Sequence, residues 1–360
     1  MQNYGPLRQL TREDCDWPIG LQPNKATDLA SANGARAVSW SRPIGQALFA
    51  MATIMCLYLG AAVWLGWADF RGAIQQMSLS TLPMAISLVF LGLGLRACRW
   101  HYYTQKLNWS VPVHLNVVAF LAGFAFTATP GKVGEVVKSV LLRTRYGISL
   151  TEGLGVLMVE RLGDVLAILI LTAGGLALLA DGFFFLVIAT LLVAATMVVV
   201  GVRSIYGAIL GRIGTIPGLR GIVSRILLLF DVAHELLQPL PFLVGITIAI
   251  VAWACEGLAL HIIIREFGIE ASVLTSLCVF GFATLAGALS GLPGGLGSTE
   301  VVMVLLLTQL GMPVAVAAVP VVVFRVCTLW LGSLIGVSFM MVWLAFCGEK
   351  RADVTLGKSQ

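Results

Sequence analysis

Charge is what this chain has least of. Asp, Glu, Lys and Arg together make up 11% of its 360 residues and hydrophobic residues 58%, where soluble domains carry about 25% and 45–50%. That imbalance excludes a soluble globular core and places the chain in a bilayer. Cysteine is scattered: there are seven, none in a C-x-x-C pair. That spacing excludes a disulfide framework and a thiolate metal site, and leaves them as small apolar packers. The histidines His101, His114, His234 and His261 lack metal-ligand spacing. No G-x-x-x-x-G-K-[ST], H-E-x-x-H or G-x-S-x-G motif occurs, which removes an ATP-driven pump acting alone, a zinc protease and a nucleophile-elbow hydrolase. The expectation is a protein that is not an enzyme, with no cofactor, no metal and no nucleic-acid partner. No cleavable signal peptide is expected. The polar first 45 residues read as a disordered cytoplasmic tail, and residues 348–360 as a short cytoplasmic tail.

What is abundant is long apolar runs. Six are long enough, at about 20 residues, to cross a hydrocarbon core: 46–67, 80–100, 153–179, 183–203, 241–264 and 315–346. Two more, 112–142 and 273–311, are each broken by a proline-glycine signal. The first break reads Pro130-Gly131-Lys132-Val133-Gly134-Glu135, and the second Pro293-Gly294-Gly295-Leu296-Gly297, with Glu300 close behind. Proline lacks the amide hydrogen and glycine costs backbone entropy, so both end helices. At membrane depth such a break survives only against protein or a wet cavity. Treating each broken run as a re-entrant hairpin puts most of the 23 Lys and Arg residues on one side, including Arg96, Arg99 and Lys106 after the second span. The positive-inside rule then makes both termini cytoplasmic. Counting each broken run as a full crossing is the alternative, and it exports the four arginines of the central loop.

The expected fold is therefore an all-α integral membrane protein of about eight hydrophobic segments. It is read as two inverted repeats, residues 46–180 and 181–347, each of three spanning helices plus one re-entrant Pro-Gly hairpin. Arg161 and Arg325 follow their hairpins at nearly the same distance, as a duplication requires. Matched interrupted segments in two halves point to a transporter's binding site. In the central loop, residues 219–237 repeat apolar positions at helical spacing with Arg220 and Arg225 between them. They read either as an amphipathic helix on the inner leaflet or as a connector.

Charges inside apolar runs cost roughly 2.5–3.5 kcal/mol each on insertion scales, so those present need a reason. They are Lys132, Glu135 and Lys138 at the first break, Glu160, Arg161 and Asp164 on the next span, then Glu256, Glu300 and Arg325. Glu160 and Asp164 lie four apart on one helix face, beside Arg161. One account is internal pairing, with the acids neutralising Lys132, Lys138 or Arg325. Helix-dipole and N-cap effects would explain Glu135 and Glu300, the latter behind Ser298 and Thr299. The other account is a substrate site. Two half-helices starting after their breaks would aim unpaired N–H groups at the protein's middle and attract an anion. Lys132, Lys138, Arg161 and Arg325 would add positive charge, and a guanidinium can grip phosphate with two N–H groups.

These residues resemble the membrane domain of lysylphosphatidylglycerol synthases, a flippase-like family with free-standing members. The resemblance rests on the two break motifs, on Glu160-Arg161-Leu162-Gly163-Asp164, on Ser298-Thr299-Glu300, and on Arg325 and Arg99-Trp100. It covers roughly residues 45–347 and implies movement of a lipid head group between leaflets. A synthase also needs a soluble aminoacyl-transferring domain, and only a short polar stretch follows the last span, so synthase activity is not expected. The leading expectation is an inner-membrane flippase for a polar-headed, anionic lipid. The alternatives are a secondary transporter of a small soluble anion, and a non-transporting scaffold for a lipid-synthesis enzyme.

Overall fold

The computed structural model describes residues 77–127, 134–174, 182–216 and 218–347, with Gly60 and Gly72 singly before them. These belong to the unit Ile44–Gln360. The expected first span, both tails, and Pro130, Gly131, Lys132 and Val133 of the first break lie outside the described residues. Within them the structure is helical and contains no strand. The helices are α1 (Thr81–Lys106), α2 (Val113–Ala122, continued by a 3-10 turn Gly123–Phe126), α3 (Val136–Tyr146) and α4 (Leu150–Ala173). Then follow α5 (Gly182–Gly201), α6 (Arg203–Ile213), α7 (Arg220–Leu236) and α8 (Pro239–Arg265). The last four are α9 (Val273–Leu289), α10 (Ser298–Gln309), α11 (Val314–Arg325) and α12 (Leu331–Cys347), with a π turn Val326–Trp330 between the last two.

Local sequence explains most boundaries. Ser149 caps α4, its hydroxyl accepting the Thr151 amide at 3.2 Å while Glu152 reaches back to the Ser149 amide at 3.2 Å. That reciprocal box satisfies donors a helix start leaves over. Pro239 opens α8, where its missing N–H costs nothing. Among the described residues three helices are long and apolar enough to cross a membrane: Thr81–Lys106, Pro239–Arg265 and the combined Val316–Ala345. A fourth arises if α5 and α6, bent by 76° across Val202, count as one. The chain is a multi-pass α-helical membrane protein by this length and composition.

Two sequence expectations need correction here. The second span does not stop at residue 100: α1 runs to Lys106, and Arg96 and Arg99, counted among the cations after that span, are buried within it. The helix continues through them because carboxylates on other helices meet their charge. Second, Ser298 and Thr299 do not cap α10. Gly297 precedes the helix at φ 84°, and the Ser298 hydroxyl turns back to the Gly295 carbonyl at 3.1 Å and to Ser290 at 2.9 Å. The residues expected to form an amphipathic segment do fold as one, α7. It packs on α4, while exposed Arg220, Arg225 and Ile222 lie on its open side.

Packing joins elements distant in sequence. Helices α1 and α8 make the most extensive helix–helix contact; α4 packs on α8 and α9, and α2 with its 3-10 turn packs on α12. At that last contact Gly336 of α12 is required. A Cβ there would sit 2.1 Å from the Ala125 amide nitrogen and 2.3 Å from the Phe124 carbonyl carbon, closer than any side chain permits. Ala85, Val89, Ala249, Trp253, Phe280 and Phe324 belong to the apolar core that these crossings enclose.

Candidate functional site

The second break is built from backbone that only glycine adopts readily. Leu292 and Leu296 are extended, while Gly294, Gly295 and Gly297 have φ of 60°, 67° and 84°. This reverses the chain between α9 and α10, which pack on one another. At the first break α2 and α3 likewise pack together, and Gly134 lies so close to Phe126 that a Cβ would meet its carbonyl oxygen at 2.4 Å. Glu135 stands at the start of α3 and Glu300 in the first turn of α10.

Between these elements lies a cavity of about 280 Å3. Helices α1, α3, α4, α8 and α11 supply its charged wall: Arg96, Arg99, Glu135, Lys138, Glu160, Arg161, Asp164, Glu256 and Arg325. Gly294, Gly295 and Thr299 add the backbone of the second break. Glu300 reaches the site through Arg325, whose Nε donates to it at 2.6 Å and whose Nη2 donates to the Gly294 carbonyl at 2.8 Å. Arg325 also stands where α11 gives way to the π turn, and Pro320 has already removed one donor from that helix. In the first half, Arg161 Nη2 lies 2.9 Å from Glu135 and 2.7 Å from Asp164. Asp164 also takes Arg99 Nη2 at 2.8 Å and the Trp253 indole N–H at 3.0 Å.

Two further pairs complete the wall. Lys138 donates to Glu160, and its ammonium lies 4.0 Å from the centre of the Trp100 ring and 5.1 Å from Phe120. Burial strengthens such cation–π contacts because water no longer competes for the charge. Asn116 fixes the ring, accepting the Trp100 indole N–H at 2.7 Å while donating to Thr104 at 2.7 Å. Arg96 pairs with Glu256 and lies 4.8 Å from the centre of the Trp253 ring.

Of the expected site residues, Glu135, Lys138, Glu160, Arg161, Asp164, Glu256 and Arg325 meet in one cavity and Glu300 adjoins it. Of the break residues, Gly294 and Gly295 line it, whereas Gly134, Pro293 and Gly297 shape the breaks without lining it. Every one of those acids is ion-paired, as the pairing account requires. Only one partner is among those expected, the Lys138 of Glu160. Glu160 takes Lys138 and, at 4.0 Å, Arg99; Asp164 takes Arg99 and Arg161; neither takes Arg325. Among the described residues, cations and carboxylates in the cluster match one for one, so no surplus of positive charge marks it. Arg96, Arg99, Trp100 and Trp253 were not chosen as site residues. The available signal was Arg96 and Arg99 three apart on one face of an apolar run that continues to Tyr103. His114 is exposed and does not line the cavity.

The cavity lining is mixed in character. Arg99, Lys138, Glu160 and Asp164 are almost completely buried, whereas Phe90 and Leu292 in the same lining are 49% and 47% exposed. The lining thus combines buried, ion-paired charge with exposed apolar side chains. Comparison with known proteins agrees with the setting. The profile of the lysylphosphatidylglycerol synthase TM region matches residues 45–336. The chain belongs to that family. It is similar to two UPF0104 membrane proteins of Methanothermobacter thermautotrophicus. One is 28% identical over 327 residues, 81% of this chain and 91% of the relative. The other is 24% identical over 314 residues, 80% of this chain and 93% of the relative.

Proposed function

We propose that the protein is a lipid flippase of the inner membrane, moving a polar-headed lipid with an anionic phosphate between leaflets. The observation that carries this reading is the mixed lining of one cavity: buried, paired charge together with the exposed apolar side chains of Phe90 and Leu292. That distribution suits an amphiphile. A small soluble anion gains nothing from exposed apolar side chains, which favours the lipid over the soluble-anion alternative. Buried ion pairs argue the same way. Desolvation consumes much of what such pairs gain, and apolar side chains of equal volume would stabilise as well or better. Charge this deep in an apolar protein is by default a functional-site signal.

The finer topology belongs to the same proposal: two inverted repeats, each with a re-entrant hairpin, and both termini cytoplasmic. Three correspondences support it. Glu135 with Arg161 is echoed by Glu300 with Arg325. The long helices α1 and α8 occupy equivalent places in the two halves and pack on each other. The first-half pair α2–α3 packs through α2 on α12, while the second-half pair α9–α10 packs through α9 on α4. Such reciprocal exchange between halves is what a pseudo-two-fold axis in the membrane plane produces, and rocking about it would give alternating access. The protein has no catalytic role in this reading, and lipid supply from a synthesis enzyme in the same membrane is the associated partner.

The test is reconstitution. In liposomes holding a fluorescent anionic phospholipid, the purified chain should raise the fraction that an external quencher reaches. Exchange at the protein-free rate across several lipids, with folding verified, overturns the flippase in favour of the scaffold. Movement of a soluble anion without lipid exchange favours the secondary transporter. A cysteine near Arg212, in a cysteine-free background, should resist membrane-impermeant reagents in intact cells; labelling from outside defeats the hairpin topology.

A further inference from the structure

The arginines whose positions in the sequence pointed to an anion, Arg161 and Arg325, are committed to other groups. Arg325 spends Nε on Glu300 and Nη2 on the Gly294 carbonyl. Arg161 Nη2 lies between the carboxylates of Glu135 and Asp164, and its buried Nε has no hydrogen-bond partner among the described residues. Arg99 is different. Its side chain is 1% exposed, only Nη2 lies within contact distance of a carboxylate, and Nε and Nη1 have no hydrogen-bond partner among the described residues. Three residues earlier on the same face of α1, Arg96 pairs through Nη2 with Glu256 and likewise leaves Nε without one. Both arginines line the cavity.

A buried donor without an acceptor is costly, since it has given up water and received nothing in exchange. Three such N–H positions fall on two neighbouring guanidinium groups whose residues line one cavity, and they call for an acceptor. We propose that Arg99, assisted by Arg96, seats a phosphoryl oxyanion. Because charges in the cluster are matched, spare N–H groups rather than spare charge mark the seat. The acceptor has to reach nitrogens of Arg99 other than the one engaged by Asp164, and a nitrogen of Arg96 as well. A tetrahedral phosphoryl group presents oxygens in several directions and can do this. A planar carboxylate presents only two oxygens, both in one plane, and so reaches nitrogens in fewer directions than a tetrahedral group. Asp164 and Glu256 hold the two guanidinium groups in place before the ligand arrives, which lowers the ordering cost of binding. This inference rests on the transport reading for its biological setting and on Arg99 and Arg96 alone for its chemistry.

The experiment uses the full chain purified in detergent, with thermal unfolding as the readout. The probes are dihexanoyl phosphatidylglycerol, inorganic phosphate and dihexanoylglycerol. The phospholipid should stabilise the wild type in a concentration-dependent manner and dihexanoylglycerol should not. Arg99→Lys keeps a positive charge beside Asp164 but lacks the other two nitrogens, and should weaken apparent affinity about tenfold or more, the loss expected for one or two charge-assisted hydrogen bonds. Stabilisation by inorganic phosphate as strong as by phospholipid would assign the seat to the free ion; stabilisation by phospholipid alone would assign it to a head group. Equal binding of dihexanoylglycerol, or equal affinity in folded Arg99→Lys, overturns the seat. If Arg99→Lys does not fold, cryo-electron microscopy of the wild type in phosphatidylglycerol nanodiscs decides. Phosphate density in hydrogen-bonding reach of Arg99 supports the seat; density at Arg161 or Arg325, or none in the cavity, refutes it. Transbilayer exchange that survives Arg99→Lys unchanged rejects the seat and leaves transport standing. Arg99-dependent binding without exchange does the reverse.

Discussion

Glu135 with Arg161 and Glu300 with Arg325 are the same residue types at matching places in the two halves, yet their surroundings differ. Arg325 is closed in: its side chain is 10% exposed, and it holds both the acid that follows the break and the Gly294 carbonyl inside it. Arg161 is 35% exposed at its side chain and is shared between Glu135 and Asp164, which in turn leads to Arg99 and Trp253. The second-half pair is a clamp on the backbone of the break. The first-half pair is one link in a network that reaches the buried charges of the cavity lining. Two ion pairs of the same residue types can thus differ in their surroundings, because the third partner of each arginine sets what its loss would do.

The largest effect should come from opening the clamp. Arg325→Met takes the guanidinium from the part-buried Glu300 carboxylate and from the Gly294 carbonyl together, and should cost up to about 3–5 kcal/mol, the penalty for breaking one side of a buried pair. Thermal unfolding in detergent measures it. A loss no greater than that of Arg161→Met would erase the distinction between the two halves. Next in size is Gly336→Ala. Its new Cβ meets backbone atoms of Phe124 and Ala125 that no side-chain rotation can clear, and overpacking of this kind costs about 1–3 kcal/mol. Ordinary stability in that variant would mean that α12 does not approach α2 so closely.

Arg161→Lys sharpens the comparison from the other side. The ammonium cannot satisfy Glu135 and Asp164 as a guanidinium does. With a partly exposed partner, however, the stability cost should stay near about 1 kcal/mol. Lipid exchange should fall about tenfold while the protein stays folded and abundant. Wild-type exchange in that variant would remove Arg161 from the network. The smallest expected effect lies outside the spans, where Glu266 accepts the Ser78 amide at 3.0 Å and the Thr81 hydroxyl at 2.7 Å. These bonds hold its carboxyl below the usual carboxylate range, the amide contributing most. A depressed folded value means the contribution is present above the ordinary carboxylate pKa and is lost as pH falls through and below it. Glu266→Gln should therefore lower stability at neutral pH by at most about 1 kcal/mol, given its solvent exposure. The gap from wild type should close on acidification. A gap that widens toward low pH would contradict the sign.

Much of the site was legible in the chain. Pro293 to Gly297 had to interrupt a helix because three of its residues take a left-handed backbone and one lacks an amide hydrogen, and each of these traits is local. Charge within apolar runs singled out Lys138, Glu160, Asp164 and Glu256 for the same reason: burial of a charge needs explanation wherever it occurs. The amphipathic period marked α7, and the long runs anticipated α1, α4, α5 and α8 to within several residues at their ends. Partnership was not legible. Arg96 meets a carboxylate 160 positions away, and Asp164 meets an indole 89 positions away. No periodicity encodes such distances. Arg96 and Arg99 looked like cations after the span because a run of apolar residues gave way to charge there, and hydropathy cannot tell a helix that ends from one whose charges are answered across a crossing. The amino-acid order by itself determined a helical membrane protein with broken segments and misplaced charge, since helix ending and desolvation act residue by residue. Only the tertiary structure decided which cation faces which acid and which guanidinium keeps N–H groups to spare, because those follow from the packing of α1 on α8 and α4 on α9.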